Sequence, residues 1–458
     1  MGIKHDLQVR TVKILNLIMM TIPFFCFTFY YRELFCTGDF SHGEYAVILG
    51  LFMILYLTFS RIYDAFHISL QRISELIYSQ MLAVFFADAI MTLILNLLAH
   101  KFLHLFPVVL CFLAQSACSA VWSLLSHIWY FRKFPPLRTV IIYNRKEKME
   151  SLIAEYGMDI KFNVVKTCSV QEYLADESSA IDDSIQTVFI YDIHSHERNR
   201  ILKYCIEHNI LAYVIPSTGD LLMSSARTMH MFHLPLMRVE RYRPVPEFII
   251  TKRLFDILVS GTALLLLSPV MLITAIAVKS DGGTVFYQQT RLTKDRKEFR
   301  ILKFRSMRPD AESDGIARLS SGEDDERVTR IGKILRRFRI DELPQLFNIL
   351  KGEMSVVGPR PERPEIAVQY EEDIPEFRLR LQAKAGLTGY AQVYGKYNST
   401  PYDKLQMDLM YIAHPSMIQD IKICFATLKT LFLPESTEGI TPDAVTAQSD
   451  NDKQNPLP

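Results

Sequence analysis

The chain has no surplus of charge: 51 Lys and Arg stand against 50 Asp and Glu, a formal charge of +1 over 458 residues. Without a global basic field, a nucleic-acid partner is not expected. Paired cysteines are also missing. Cys26, Cys36, Cys111, Cys118, Cys168, Cys205 and Cys424 are scattered without a CxxC pair, which supports neither a zinc knuckle nor a disulfide framework and makes reduced thiols the expectation. At 49% hydrophobic and 22% charged, the chain is too apolar to be disordered and too charged to be membrane throughout. Its length suits about three domains.

What is present first is apolar. The runs Val12–Tyr30, Tyr45–Phe59, Leu76–Ala99 and Leu105–Tyr130 are each long enough to cross a hydrocarbon core of ~30 Å. The first is too long for a cleavable signal peptide, carries Lys13 at its start and has no small-residue cleavage site after it. Lys4, Arg10 and Lys13 precede it, Arg61 and Arg72 lie between the second and third, and Arg132, Lys133 and Arg138 follow the fourth. The positive-inside rule therefore places both ends of a four-helix transmembrane bundle, 1–134, in the cytoplasm. Glu33, Asp39 and Glu44 fall in the opposite loops, with Arg32 and Lys101 softening the bias. Asp88 and Asn96 inside the third run suit a proton relay or a hydrogen bond between helices. With no matching Lys, Arg or Glu deep in another span, hydrogen bonding or displacement toward an interface is expected.

From Arg138 short β-branched runs alternate with helical stretches: RTVIIYN, FNVVKTC, TVFIYDI and LAYVIPS. That pattern predicts a Rossmann-like α/β domain over 135–245 with a parallel sheet. A dinucleotide site needs glycines after the first strand so that backbone can approach a pyrophosphate. Tyr143-Asn144-Arg145-Lys146-Glu147 stands there instead, so the domain reads as degenerate, with a docking, regulatory or oligomerising role expected.

A further apolar run, Leu254–Val278, is also long enough to cross. Lys252 and Arg253 before it and Lys279, Arg291, Lys294 and Arg296 after it put both flanks on one side. Ser268-Pro269 near its middle removes a backbone donor, so a helix over 250–279 bent there, entering one leaflet and returning, is predicted; a kinked true span is the alternative.

The remainder is rich in cations beside short polar motifs. Lys303 and Arg305, two apart in KFRSM, are expected on one face of an extended segment, facing phosphate. Ile331–Phe338 reads as a basic amphipathic helix suited to anionic headgroups, or as a solvated face. Asp341-Glu342-Leu343-Pro344 opens the next helix. On spacing alone the carboxylates suit helix capping; among so many arginines they also suit attack on phosphorus by one and cation binding by the other.

KFRSM, the DELPQLFNILKGEMSVVGPRP block, the AGLTGYAQVYG loop and the KLQMDLMYI…SMIQDIKI segment together resemble the polyprenyl-phosphate phosphoglycosyltransferases, monotopic bacterial sugar transferases that begin exopolysaccharide or capsule repeat units. The bundle and degenerate middle domain resemble the large, membrane-anchored subclass. The resemblance implies an α/β monotopic catalytic domain over 246–433 on the cytoplasmic side of the bacterial inner membrane, with Ser268 and Pro269 as the break of a re-entrant membrane helix. It implies transfer of a sugar-1-phosphate from a nucleoside-diphosphate sugar, such as UDP-glucose or UDP-galactose, to undecaprenyl phosphate. Asp341 would be the nucleophile and Glu342 its partner, both candidates to hold Mg²⁺. Lys303, Arg305, Arg336, Arg360, Asp408 and Asp420 would be substrate-site positions. The family's Arg-Pro-Gly-Ile-Thr-Gly-Trp loop is Lys384-Ala385-Gly386-Leu387-Thr388-Gly389-Tyr390 here, a departure that bears on sugar specificity. Two rival readings stand beside it: a sugar-nucleotide epimerase or dehydratase, which the missing glycine loop disfavours, and a membrane scaffold, which leaves the phosphate-site motifs idle. A homodimer through the bundle or middle domain is a hypothesis. Residues 309–329 read as a lid or a plain insertion, and 434–458 as a disordered tail.

Overall fold

A computed structural model of the chain describes residues 3–30, 42–99, 104–144, 149–175, 181–182, 184–280, 282–308, 327–395 and 400–430. The expected lid at 309–326, the tail 434–458, most of the loops at 31–41 and 100–103, and 145–148 after the first strand lie outside them.

The chain forms two compact units, Met1–Ile215 and Pro216–Pro458. In the first, the helices Ile3–Tyr30, His42–Ile62, Ile73–Ala99 and Leu105–Lys133 correspond to the four apolar runs. Each is long and apolar enough to cross a membrane. A buried polar chain ties them together. Tyr56 donates to Asn16, Asn16 donates to Gln80 Oε1, and Ser119 donates to the same oxygen. Such bonds set helix pairing where the surroundings are apolar. Asp88 stands outside that chain, its carboxylate buried on the third helix.

β1 (Leu137–Tyr143), β2 (Phe162–Ser169), β3 (Thr187–Tyr191) and β4 (Leu211–Val214) follow in the same unit. They pair in parallel in the order β2-β1-β3-β4, and helices Met149–Glu155, Val170–Ala175 and Ser195–Glu207 make the crossovers. Val140, Ile142, Val188 and Ile190 project from the two central strands into one core cluster. This is the parallel α/β sheet that the alternating pattern predicts.

The segment 216–245, placed with the middle domain on sequence, packs with the C-terminal unit instead. Ser217 caps the helix Thr218–Ser224 through a capping box with Asp220, and that helix delivers Leu221 to the C-terminal core. An antiparallel hairpin of β5 (Arg227–Met231) and β6 (Leu234–Arg238) follows.

Next comes the apolar helix Pro246–Ser280, which runs without interruption through Ser268 and Pro269. Pro269 cannot bond the Leu265 carbonyl, and the Ser268 hydroxyl donates to that oxygen at 2.8 Å. Both flanks of the helix grip the same unit. Arg253 donates to the Ile349 and Leu350 carbonyls at 2.7 Å each, and Val278 joins Phe304 and Leu335 in a small core. Between them Leu265, Leu266, Leu272 and Ile273 are exposed.

The remaining elements are β7 (Phe286–Leu292) and β8 (Glu298–Phe304), antiparallel to each other, and β9 (Ser355–Val357) and β10 (Gly386–Thr388), parallel to each other. Helices Arg330–Arg337, Gln345–Lys351, Pro364–Asp373, Pro401–Ala413 and Met417–Thr430 surround them. Their shared core includes Ile301, Leu346, Ile349, Val357, Leu405 and Leu409.

Candidate active site

The Asp-Glu pair lies in a tight turn, Ile340–Glu342, between the basic helix Arg330–Arg337 and the helix Gln345–Lys351. Arg339 enters that turn with φ 53°, a left-handed conformation that costs a non-glycine residue energy and that the surrounding packing holds. The helix behind begins at Pro344, which carries no side-chain cap, and ends on Gly352 at φ 87°. Neither carboxylate caps that helix, so the capping reading of the sequence does not describe the structure.

Glu342 is buried and held by two cations. Lys303 Nζ, on β8, lies 2.9 Å from Oε1, and Arg360 Nη2, in the Pro359-Arg360-Pro361 turn after β9, lies 3.0 Å from the same oxygen. Burial alone would raise the Glu342 pKa, but Lys303 and Arg360 outweigh it and hold the carboxyl well below its ordinary range. Asp341 is 8% exposed, and its carboxylate has no hydrogen-bond partner among the described residues. Burial raises its pKa to about 6, opposed by the charge of Lys303 and reinforced by that of Glu342. Two adjacent carboxyls are thus driven apart, one held as an anion and the other raised toward neutrality.

Arg336 completes the cationic wall. It sits in the last turn of its helix, donates to Ser306 Oγ at 3.0 Å, and its charge acts on Asp341. That helix can approach because Gly332 lies against the Ser306 backbone, where a Cβ would come within 2.0 Å of the carbonyl oxygen. Arg291, Ile301, Lys303, Glu342, Gln345, Arg360, Pro361 and Gly386 line a shallow, open cleft. Gly386 has no alternative, since a Cβ there would meet the Gly358 amide at 2.1 Å.

Other sequence candidates lie elsewhere. Arg305, just past the end of β8, does not contact the dyad, and its guanidinium packs onto the end of the apolar helix. It donates to the Thr284 carbonyl at 2.8 Å, the Val278 carbonyl at 3.1 Å and the Gly282 carbonyl. Asp420 binds Lys252 Nζ at 2.6 Å and accepts from the Tyr411 hydroxyl at 2.8 Å, fastening the start of the same helix. Asp408 is buried against Arg380, at 2.7 Å. Sequence reading missed Arg380, Glu362 and Gln345 altogether and used Arg291 only as a topology signal. Glu362 stands two positions past Arg360, which was the signal available; Arg380 lies in a mixed-charge stretch that carries none.

A magnesium ion usually takes one or two carboxylates, with waters and substrate phosphates filling the rest of its shell. The unpartnered Asp341 carboxylate next to Glu342 fits that partial donor set. Among the described residues no cluster of three or more His, Cys, Asp or Glu would hold a metal unaided.

Residues 247–434 match the family model described as bacterial sugar transferase. The UDP-N-acetylgalactosamine-undecaprenyl-phosphate N-acetylgalactosaminephosphotransferase of Aeromonas hydrophila is 38% identical over 239 residues, 51% of this chain and 55% of that protein. The exopolysaccharide production protein PSS of Rhizobium leguminosarum bv. phaseoli is 41% identical over 190 residues, 39% of this chain and 94% of that protein. The UDP-glucose:undecaprenyl-phosphate glucose-1-phosphate transferase of Klebsiella pneumoniae is 41% identical over 191 residues, 40% of this chain and 41% of that protein. The chain therefore spans about half the length of the first and third of these, and nearly all of the second.

Proposed function

Because this chain belongs to the bacterial sugar transferase family, we propose that it transfers a sugar-1-phosphate from a UDP-hexose to undecaprenyl phosphate, initiating a polysaccharide repeat unit. The observation that carries this reading is Asp341: a buried carboxylate, free of hydrogen-bond partners among the described residues, beside an anionic Glu342 and within the field of Lys303, Arg336 and Arg360. A group in that setting is a nucleophile awaiting an electrophile that brings its own negative charge.

The proposed chemistry has two steps. An Asp341 carboxylate oxygen attacks the β-phosphorus, the bond from that phosphorus to the bridging oxygen breaks, and UMP leaves with the electron pair. The resulting phosphosugar-aspartate is then attacked by a phosphate oxygen of undecaprenyl phosphate, which forms the diphosphate-linked sugar and returns Asp341 as its carboxylate. Lys303 and Arg360 hold Glu342 ionised, while Arg336 and Arg360 face the charge that spreads over the transferring phosphoryl oxygens. Mg²⁺, held by Asp341 or Glu342 together with the diphosphate, would neutralise charge on the leaving nucleotide. Arg291 and Gln345 join the proposed donor cleft. Arg305 and Asp420 hold the apolar helix, a supporting role in place of the substrate contact expected from sequence.

One substrate is water-soluble and the other lipid-borne, so a site beside a shallow membrane helix is favourable. The proposed location is the cytoplasmic face of the bacterial inner membrane. It is supported by the Lys and Arg flanks of the spans and by the hydrogen bonds from both ends of the apolar helix to one unit. A homodimer through the bundle or middle domain belongs to the same proposal, and native mass spectrometry in lipid checks it.

The experiment is UMP release from a panel of UDP-sugars with Mg²⁺ and undecaprenyl phosphate, comparing wild type with Asp341→Asn. Release that needs Asp341 and one particular sugar supports the reading and names the donor. Release unaffected by Asp341→Asn would overturn it.

A further inference from the structure

Beneath the Pro359-Arg360-Pro361 turn lies a buried guanidinium that the transfer chemistry does not use. Arg380 is 3% exposed and comes from the short helical segment Pro375–Gln382. Its Nε and Nη2 lie 2.9 and 2.7 Å from Asp408 Oδ2, and Nη1 lies 3.3 Å from Glu362 Oε1. Nη2 also donates to the backbone carbonyl of Arg360 at 3.0 Å. The Phe377 ring closes over the guanidinium, its centroid 4.8 Å from Cζ. Desolvating such a group is expensive, and the two carboxylates offset that cost while fixing the fork in one orientation.

The turn it grips carries Arg360, one of the two cations on Glu342. Each carbonyl of the turn is held: Pro359 by the Gly386 amide at 2.9 Å, Arg360 by Arg380, Pro361 by Arg291 at 3.1 Å, and Glu362 by the Leu292 amide at 3.0 Å. Of these, the bond to Arg360 is the one anchored on a fully buried ion pair. Prolines on both sides of Arg360 restrict its backbone, and the Arg380 bond holds the carbonyl between them.

We propose that Arg380 is a positioning residue for the dyad: backed by Asp408 and Glu362, it fixes the turn so that the Arg360 guanidinium stays on Glu342. Asp408 then acts through Arg380, without touching substrate. This rests on the reading of Asp341 and Glu342 as the transfer site.

The test is a double-mutant cycle on UMP release with Arg380→Gln, Arg360→Gln and the pair together. Arg380→Gln should lower kcat about tenfold or more while the donor KM stays within about threefold, because geometry and not ground-state binding is lost. The pair should be no slower than Arg360→Gln alone, since a residue acting through Arg360 has nothing left to act on. Losses that multiply, or an undiminished kcat in Arg380→Gln, would overturn the proposal. If Arg380→Gln fails to fold because Asp408 is left unpaired, Arg380→Gln with Asp408→Asn removes both charges and enters the cycle in its place. A wild type inactive toward every donor would sink the transferase reading alone. Amide exchange of Leu292, Gly358 and Gly386, whose hydrogen bonds hold the turn, read by mass spectrometry, would still decide the inference: faster exchange in the Arg380 variant supports it, and unchanged exchange overturns it.

Discussion

Asp341 and Glu342 are neighbours with the same chemistry and opposite electrostatic fates, and the difference comes from who touches them. Lys303 and Arg360 both bond Glu342 Oε1, whereas Asp341 receives their field but no hydrogen bond among the described residues. Its ionised form is therefore strained by burial. For catalysis Asp341 must be ionised, so with a pKa raised to about 6 the acidic limb of kcat/KM should fall off as pH drops through about 6. A profile flat down to pH 4.5 would remove Asp341 as nucleophile. The same strain predicts a stability trade-off. A carboxyl whose folded pKa is raised destabilises the fold above that pKa, and the cost fades as pH falls toward its ordinary value of 3.8. Asp341→Asn should therefore abolish UMP release yet stabilise the protein at pH 7.5, by on the order of 1 kcal/mol, with the gain gone near pH 4. Melting curves at the two pH values check it. At this scale the dyad was legible because it sits in a long motif, and Lys303 because KFRSM surrounds it. Arg305 bonds the Val278, Gly282 and Thr284 carbonyls, partners that its spacing from Lys303 does not announce. Arg380 gave no signal, since its partners Asp408 and Glu362 are distant in sequence and meet it only in the fold.

The helix Pro246–Ser280 was legible in the sequence in its composition and its extent. Its length, flanking charges and Ser-Pro pair were visible in the sequence. That the helix continues through the pair was not, because the Ser268 hydroxyl bond to the Leu265 carbonyl is a local rescue that hydropathy does not register. A straight helix of 35 residues would be about 52 Å long, well beyond a hydrocarbon core of ~30 Å. Both of its ends are nevertheless bonded to the same unit, Arg253 to the Ile349 and Leu350 carbonyls and Arg305 to the Val278 carbonyl. A helix fastened in this way is suited to resting in one leaflet. Single cysteines placed by Thr251→Cys or Ser280→Cys, in a chain whose own cysteines are replaced by serine, should both resist a membrane-impermeant maleimide applied outside spheroplasts and both react after lysis. Adding Ser268→Ala with Pro269→Leu should expose one flank to the outside reagent. Labelling of either flank in the parent chain from outside would mean that the helix crosses.

For the whole molecule, the division of labour follows the compact units. Every residue placed at the dyad, the cleft and the buried Arg380 cluster belongs to Pro216–Pro458, and so does the apolar helix. That unit has its own core, built from Leu221 at one end to Ile423 at the other. Met1–Ile215 contributes four apolar helices and a parallel sheet whose first turn lacks the glycines of a nucleotide site. The Rhizobium relative aligns over 94% of its own length while using 39% of this chain, so a relative is built on far less than the whole of it. The unit boundary was hidden from sequence because 216–245 has the short strands of the middle domain; its allegiance is decided by Leu221 packing into the C-terminal core, a contact no local pattern announces. A chain beginning at Pro216 should therefore sediment with membranes, held by the exposed Leu265, Leu266, Leu272 and Ile273, and should retain UMP release within about tenfold of the full chain. Loss of sedimentation would show that anchoring depends on the bundle. Sedimentation without activity, in a unit that still melts cooperatively, would show that the first unit supplies something the transfer reaction requires.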